Sequence, residues 1–297
     1  MNSYPTQTAE STKTKCYLCG CIEHKQRPGK VRDNQELKIL ECTSCGLVFL
    51  SSFAHIKNNF YESSGMHDQK QLNIETWRKE AENDDERRFQ YLKGNLYNKK
   101  LLDFGCGAGG FILKARALTL KNHGVEPEQG LKDYFTQHNL IVYQSLNEIE
   151  VKIKEGYDII TLFHVLEHLP DPKNILSKLK KLLTEGGQII IEVPNSEDAL
   201  LTFYKSESFS KFTYWSCHLY LFNAKTLELL ASQVGLKINY IRQIQRYPIS
   251  NHLYWLSKNR PGGHQHWHFI DNPEINSAYE KQLAAIGKCD TIIASFS

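Results

Sequence analysis

Three groups of residues have the types and spacing to do chemistry. Cys16-x2-Cys19 and Cys42-x2-Cys45 are thiolate pairs 22 residues apart, a spacing that can surround one tetrahedral Zn²⁺. Leu101–Phe111 reads LLDFGCGAGGF. Glycines there permit positive φ and let a ligand lie against the backbone, and the helix that follows offers unpaired N–H groups and a partial positive charge. Asp103 places a carboxylate at the mouth of this turn, which suits a cationic amino acid better than a pyrophosphate. About twenty residues on, Glu126 stands where an acid accepts hydrogen bonds from ribose hydroxyls. The third group is His164, Glu167 and His168, spaced i, i+3 and i+4 so that a helix would put them on one face, with His218 in a later loop able to reach the same cleft.

The elements that must position these groups read as an alternating α/β chain. Strands are expected at Lys100–Phe104, Gly124–Glu126, Leu140–Tyr143, Tyr157–Phe163 and Gln188–Val193. Alternation with helices implies parallel pairing, with helices on both faces. One helix is capped by Asp171, has Pro172 at its first position, and closes at Gly186 and Gly187. Its expected buried stripe is Ile175, Leu179, Leu182 and Leu183. Another runs from Asn223 to Gly235, and Leu236–Pro248 and Asp290–Phe296 read as two further strands. Ligands of such a sheet bind beyond the carboxyl ends of the strands, where both the glycine turn and HVLEH sit.

DFGCGAG, the acid Glu126 and DIITLFHVLEH, in this order, resemble the first motif, ribose acid and fourth motif of class I S-adenosylmethionine-dependent methyltransferases. The resemblance covers Leu101 to Leu236. It implies a doubly wound, seven-stranded, mostly parallel sheet of the Rossmann-like methyltransferase type, ending in an antiparallel pair with the last strand between the fifth and sixth. It also implies that Asp103, Gly105, Cys106 and Gly107 hold the methionine part of the cofactor, Glu126 the ribose, and Ser145 and Leu146 the adenine edge. Pro127, Phe163 and His164 complete the expected cofactor-binding set.

For His164, Glu167, His168 and His218 three readings stay open. One histidine is a general base that takes a hydroxyl proton as the methyl moves. Alternatively, the four bind a divalent metal, as the resemblance to metal-dependent small-RNA 2′-O-methyltransferases implies, although His164 stands where their first glutamate would be. Or the side chains only cap and pack. HVLEH also matches the HxxEH string of inverted zinc peptidases, but it sits at a strand-to-helix turn with Pro170 just beyond.

The 297 residues carry a net charge of +3 with mixed signs, so no strong basic field argues for nucleic acid. Apolar runs are of strand length, too short to span a membrane. The polar start is expected to be a disordered tail, residues 1–15, without a signal peptide. Eight cysteines with no pairing logic beyond the two CxxC pairs fit metal binding in a reducing, cytoplasmic setting. Residues 16–50 resemble a zinc ribbon, which is either a structural staple or a grip on a partner. Residues 51–100 read as a helical connector over the cleft, and 101–297 as the catalytic domain with an insertion at 249–289. The insertion holds NHLYWLSKNRPGGHQHWHF, whose aromatics, histidines and arginine suit a carbohydrate or phosphate-bearing acceptor. Three functions follow. One is methyl transfer to a small acceptor, a sugar nucleotide or surface-glycan precursor; the second is metal-dependent RNA 2′-O-methylation. The third is a non-catalytic, cofactor-binding adaptor.

Overall fold

A computed structural model of the chain describes residues 14–57, 60–62, 73–153 and 155–297. The expected tail lies outside them except for its last two residues, as does part of the connector. In chain order, β1 (His24–Gln26), β2 (Ile39–Cys42) and β3 (Val48–Leu50) make an antiparallel ribbon. Helix α1 (Ile74–Leu96) follows, capped by Asn73, whose side chain accepts from the Thr76 amide. The α/β body then runs β4 (Lys100–Phe104), α2 (Gly110–Ala115), β5 (Lys121–Val125), α3 (Lys132–Gln137), β6 (Val142–Tyr143), α4 (Leu146–Lys152), β7 (Tyr157–Phe163), α5 (Pro172–Lys181) and β8 (Leu183–Pro194). It continues through α6 (Ala199–Thr202), α7 (Glu207–Thr213), β9 (Tyr220–Leu221), α8 (Ala224–Gln233) and β10 (Ile238–Ile244). Last come α9 (Ile249–Lys258), α10 (Gly263–His266), α11 (Pro273–Ala285) and β11 (Thr291–Phe296).

The main sheet has the order β10-β11-β8-β7-β4-β5-β6, with β11 antiparallel between β8 and β10. This is the seven-stranded, mostly parallel architecture expected from the sequence. Its central strands are runs such as IITLF and IIIEV, buried on both faces by the flanking helices. Among the described residues no helix is long and apolar enough to cross a membrane.

Two local expectations are corrected. Helix α5 keeps its Asp171 cap but ends at Lys181, and Gly186 and Gly187 lie inside β8. A Cβ on Gly187 would sit 2.9 Å from the Tyr157 carbonyl, so this glycine serves close strand packing rather than a helix stop. The buried residues of α5 are Pro172, Leu176 and Leu179; Ile175, Leu182 and Leu183 are only partly covered. The ribbon is also less separate than its sequence suggests. Its sheet is completed by β9 in the order β1-β2-β3-β9, and Leu47, Val48 and Phe49 share one core with Leu219, Tyr220 and Phe222.

Candidate active site

Strand β4 delivers the chain to the glycine turn. Gly105 and Gly107 adopt φ of 75° and 51°, which glycine takes without strain. A Cβ on Gly105 would meet Val165 Cγ2 at 2.3 Å. Glu126, just past β5, accepts from the Gly107 amide at 2.9 Å and from the Glu128 amide at 3.0 Å. Asp103 is buried and accepts from Thr161 Oγ1 at 2.6 Å.

Above the turn lies a cavity of about 560 Å³. Its floor holds Asp103, Gly105, Cys106, Gly107, Glu126, Pro127, Phe163 and His164. Trp77, Asp84 and Asp85 of α1 form its roof, and Tyr61, His168, Trp215 and Arg246 its far wall. Helix α1 rests directly on the N-terminus of α2, since a Cβ on Gly110 would fall 2.0 Å from Asp85 Oδ2. Burial pushes Asp103 and Glu126 each up to about 7 and Asp85 up to about 6. Three carboxylates with raised proton affinity around one cavity are a setting completed by a cationic ligand. Ser145 and Leu146 are not on the cavity wall. Ser145 is the N-cap of α4 and Leu146 is buried in the core.

The histidine cluster does not share a helical face. His164 has φ of 56°, and only Leu166–His168 form a short 3₁₀ turn, because Pro170 leaves no room for a longer helix. His164 Nδ1 donates to Glu167 Oε1 at 3.2 Å, and Arg246 Nη1 donates to His164 Nε2 at 2.9 Å. Arginine can only donate, so Nε2 is the bare nitrogen and its lone pair is taken. Glu192 Oε1 is 3.3 Å from the same nitrogen but is satisfied by Arg87 and Arg88. Arg246 also grips Asp84 through Nε and Nη2. Burial would raise Asp84, but Arg246, Arg88 and Arg87 more than offset it and hold it well below the carboxylate range. Sequence reasoning missed Arg246 and Asp84; both lie outside the motifs and meet only in the fold.

His168 is different. Its Nδ1 donates to the Cys217 carbonyl at 2.8 Å, which fixes the neutral tautomer with a bare Nε2, and its ring lines the cavity. Burial pushes its pKa below the usual histidine value. His218 lies behind it, off the cavity wall, with ring centroids 5.0 Å apart and Nδ1 donating to the Thr213 carbonyl at 3.1 Å. Burial and His168 push His218 down to about 3. Glu167 is fully buried. Burial would raise it, but the His164 bond and neighbouring histidines bring it down to about 2. Its Oε2 is buried with no hydrogen-bond partner among the described residues, and one ligand atom each of Glu167, His168 and His218 fall within 4.8 Å of one another.

The segment bearing Trp215 and His218 is held largely by the ribbon. Asp33 accepts from Ser216 N at 3.0 Å and Ser216 Oγ at 2.6 Å. His55 Nε2 donates to the Ser216 carbonyl at 2.8 Å, and the Leu50 amide to the Leu219 carbonyl at 3.0 Å. Arg32 lies over the Trp215 ring at 4.5 Å. In the ribbon itself, Cys16 and Cys45 sulfurs are 3.5 Å apart and those of Cys19 and Cys42 3.4 Å, all four unoxidised and within 4.8 Å of one another. Sulfurs so placed can be ligands of one tetrahedral ion.

Known proteins agree with this geometry. The family described as "Methyltransferase domain" matches residues 75–241, more than half of the chain. A Klebsiella pneumoniae protein named ubiquinone biosynthesis O-methyltransferase is 29% identical over 170 residues, covering 53% of this chain and 70% of its own length. A Salmonella newport protein of the same name is 31% identical over 110 residues, but this covers only 45% of that protein. A SAM-dependent methyltransferase from Archaeoglobus fulgidus has the same fold, with a TM-score of 0.50 at 19% identity over 75% of this chain and 94% of that one. With the glycine turn, the acid beyond β5 and the sheet order in place, the chain belongs to the methyltransferase-domain family, as a class I S-adenosylmethionine-dependent methyltransferase.

Proposed function

We propose that this enzyme O-methylates a small hydroxyl compound, with His168 as the proton acceptor. The observation that carries this reading is the contrast between two histidines on one cavity wall. His164 has both ring nitrogens engaged, whereas His168 bonds only through Nδ1 among the described residues, leaving Nε2 bare there. S-adenosylmethionine, when bound, supplies the methyl group from its sulfonium. Asp103 and the glycine turn would hold its methionine part and Glu126 its ribose, as the carboxylates of this cavity suit a cation. His168 Nε2 takes the hydroxyl proton, while the Cys217 carbonyl, bonded to Nδ1–H, keeps the ring oriented and favours the imidazolium that forms.

The acceptor is proposed to have a flat apolar body that lies between Tyr61 and Trp215. The relatives' names point to ubiquinone biosynthesis rather than to the sugar-nucleotide or glycan acceptor expected from the sequence. Arg87, Arg88 and Arg246 are already paired with Glu192 or Asp84, which leaves these guanidiniums little capacity for an acceptor phosphate. The test is formation of S-adenosylhomocysteine from purified protein with phenols, sugar nucleotides and RNA in parallel. Turnover with phenols supports this acceptor class; turnover confined to either of the others rejects it.

A second reading has one observation in its favour. Glu167 Oε2, without a hydrogen-bond partner among the described residues and close to His168 and His218, suits a divalent cation. A chelator that abolishes turnover, restored by Mn²⁺ or Co²⁺, would establish it in place of the base. We further propose that Cys16, Cys19, Cys42 and Cys45 hold one structural Zn²⁺, because so small a ribbon needs metal to fold.

A further inference from the structure

We propose that the face built by α9, α7 and the turn after α6 docks on the surface of an anionic lipid bilayer. Helix α9 carries large apolar side chains on two of its sides. Tyr254 and Trp255 are buried inward, while Ile249, Leu253 and Leu256, spaced i, i+4 and i+7, form a second stripe that faces outward. Leu253 and Leu256 are 41% and 40% exposed. An apolar stripe on a helix normally faces a partner, and among the described residues nothing covers this one.

The neighbouring elements extend the stripe. Phe212 of α7 packs its ring 5.4 Å from Trp255 yet remains 49% exposed. Tyr204 lies 6.5 Å from the His252 ring and 5.0 Å from Phe203, which is 67% exposed. Ser208 ties α7 to the end of α9 through Asn259 at 3.1 Å. The exposed rings of α7 and of the turn after α6 thus stand beside the helix that carries the aliphatic stripe.

Charge decides what fits it. Across Ala199–Tyr214 and Ile249–Arg260, the stretches that carry the patch, there are four lysines and arginines and one acid, Glu207. Lys205, Lys211, Lys258 and Arg260 are exposed on the elements that carry the patch, and Glu207 is paired with Lys211. A second copy docked through the same patch would set these cations against each other. Protein partners seldom prefer a lysine-rimmed patch, and lysine is depleted at such interfaces. Nucleic acid would stack on rings, but it has no use for the aliphatic stripe of α9. Phenylalanine and leucine beneath a rim of lysine and arginine match an acyl boundary under anionic headgroups. The patch is also wired to the cavity. Arg32 lies 5.9 Å from the Phe212 ring and 4.5 Å from that of Trp215, a cavity residue.

The test is sedimentation of the full-length protein with phosphatidylcholine vesicles, with and without about one third phosphatidylglycerol. We expect binding to the anionic vesicles only, weakened by salt. Phe212→Ser with Leu253→Ser should lower the partition coefficient about tenfold or more. The same variant should keep its S-adenosylmethionine affinity, which confirms folding; Leu256→Ser alone is the milder substitute if the pair unfolds. Absence of binding to anionic vesicles at low salt overturns the proposal, as does binding indifferent to these substitutions. A dimer dissolved by Leu253→Ser, or RNA binding lost with Phe212→Ser, each without vesicle binding, overturns it in favour of that partner. None of these readouts depends on which acceptor the enzyme methylates.

Discussion

Arg246 donates to His164 Nε2 at 2.9 Å while Glu167 accepts from Nδ1 of the same ring at 3.2 Å. An imidazole held at both nitrogens is an anchor between the strand end and the cavity wall, with no lone pair left for a substrate proton. Its role is to hold Arg246 and Glu167 in place.

His164→Ala therefore acts on stability before chemistry. It leaves Glu167 Oε1 and one Arg246 donor without their partner, at a cost of about 1–3 kcal/mol. Thermal melting should show this loss, with kcat reduced far less than in a His168 variant. An unchanged melting temperature together with a collapsed kcat would reverse the two assignments.

Cofactor affinity should depend on pH. Burial places Asp103 and Glu126 near 7 in the empty site, and both must be ionised to serve a cation and accept hydroxyl bonds. Below that pH, each group that must lose its proton costs up to about tenfold in affinity per pH unit. Calorimetry from pH 5.5 to 8.5 should show S-adenosylmethionine binding strengthen and then level off. Glu126→Ala should weaken it by roughly 1.5–3 kcal/mol at the plateau. A flat profile contradicts the carboxylate account.

Asp33 tests the link between ribbon and site. Asp33→Ala removes both bonds to Ser216, worth about 1–2 kcal/mol to that segment because the carboxylate is solvent-exposed. KM for the acceptor should rise while S-adenosylmethionine affinity stays constant, and Asp33→Asn, which retains one acceptor oxygen, should recover part of the loss. Equal damage to both ligands would mean general unfolding instead.

The ribbon should contain about one zinc per chain, and Cys42→Ser should lower it. Because β3 pairs with β9, amide exchange should quicken at Tyr220 and Leu221 as well as in residues 16–50. Exchange confined to the ribbon would show that it is an independent module.

Much of this fold was legible in the sequence because the cues were local. The strand–glycine–helix run from Lys100, the Asp171 cap and the β-branched runs of β7 and β8 each carry their own physical signature. The metal-type spacing of the four cysteines is equally local, and the fold brings all four together. What could not be read were relationships made by distant segments. Arg246 meets His164 across 82 residues and Ser216 meets Asp33 across 183. The helical spacing of His164, Glu167 and His168 misled for a related reason. Their geometry is set by a left-handed residue and a short turn before Pro170, which a periodicity argument cannot see.

The most direct measurement is the pH profile of kcat for the wild type and His168→Ala, in the presence of chelator, with an acceptor found by the hydroxyl screen. The wild-type rate should rise through one ionisation below the usual histidine value and stay level above it, since burial lowers His168 and its neutral form is the base. His168→Ala should lose about 10²–10⁴-fold in kcat and the acidic limb together, with S-adenosylmethionine affinity unchanged. A His168→Ala enzyme that turns over at the wild-type rate, or a wild type silenced by chelator, would contradict His168 as the base.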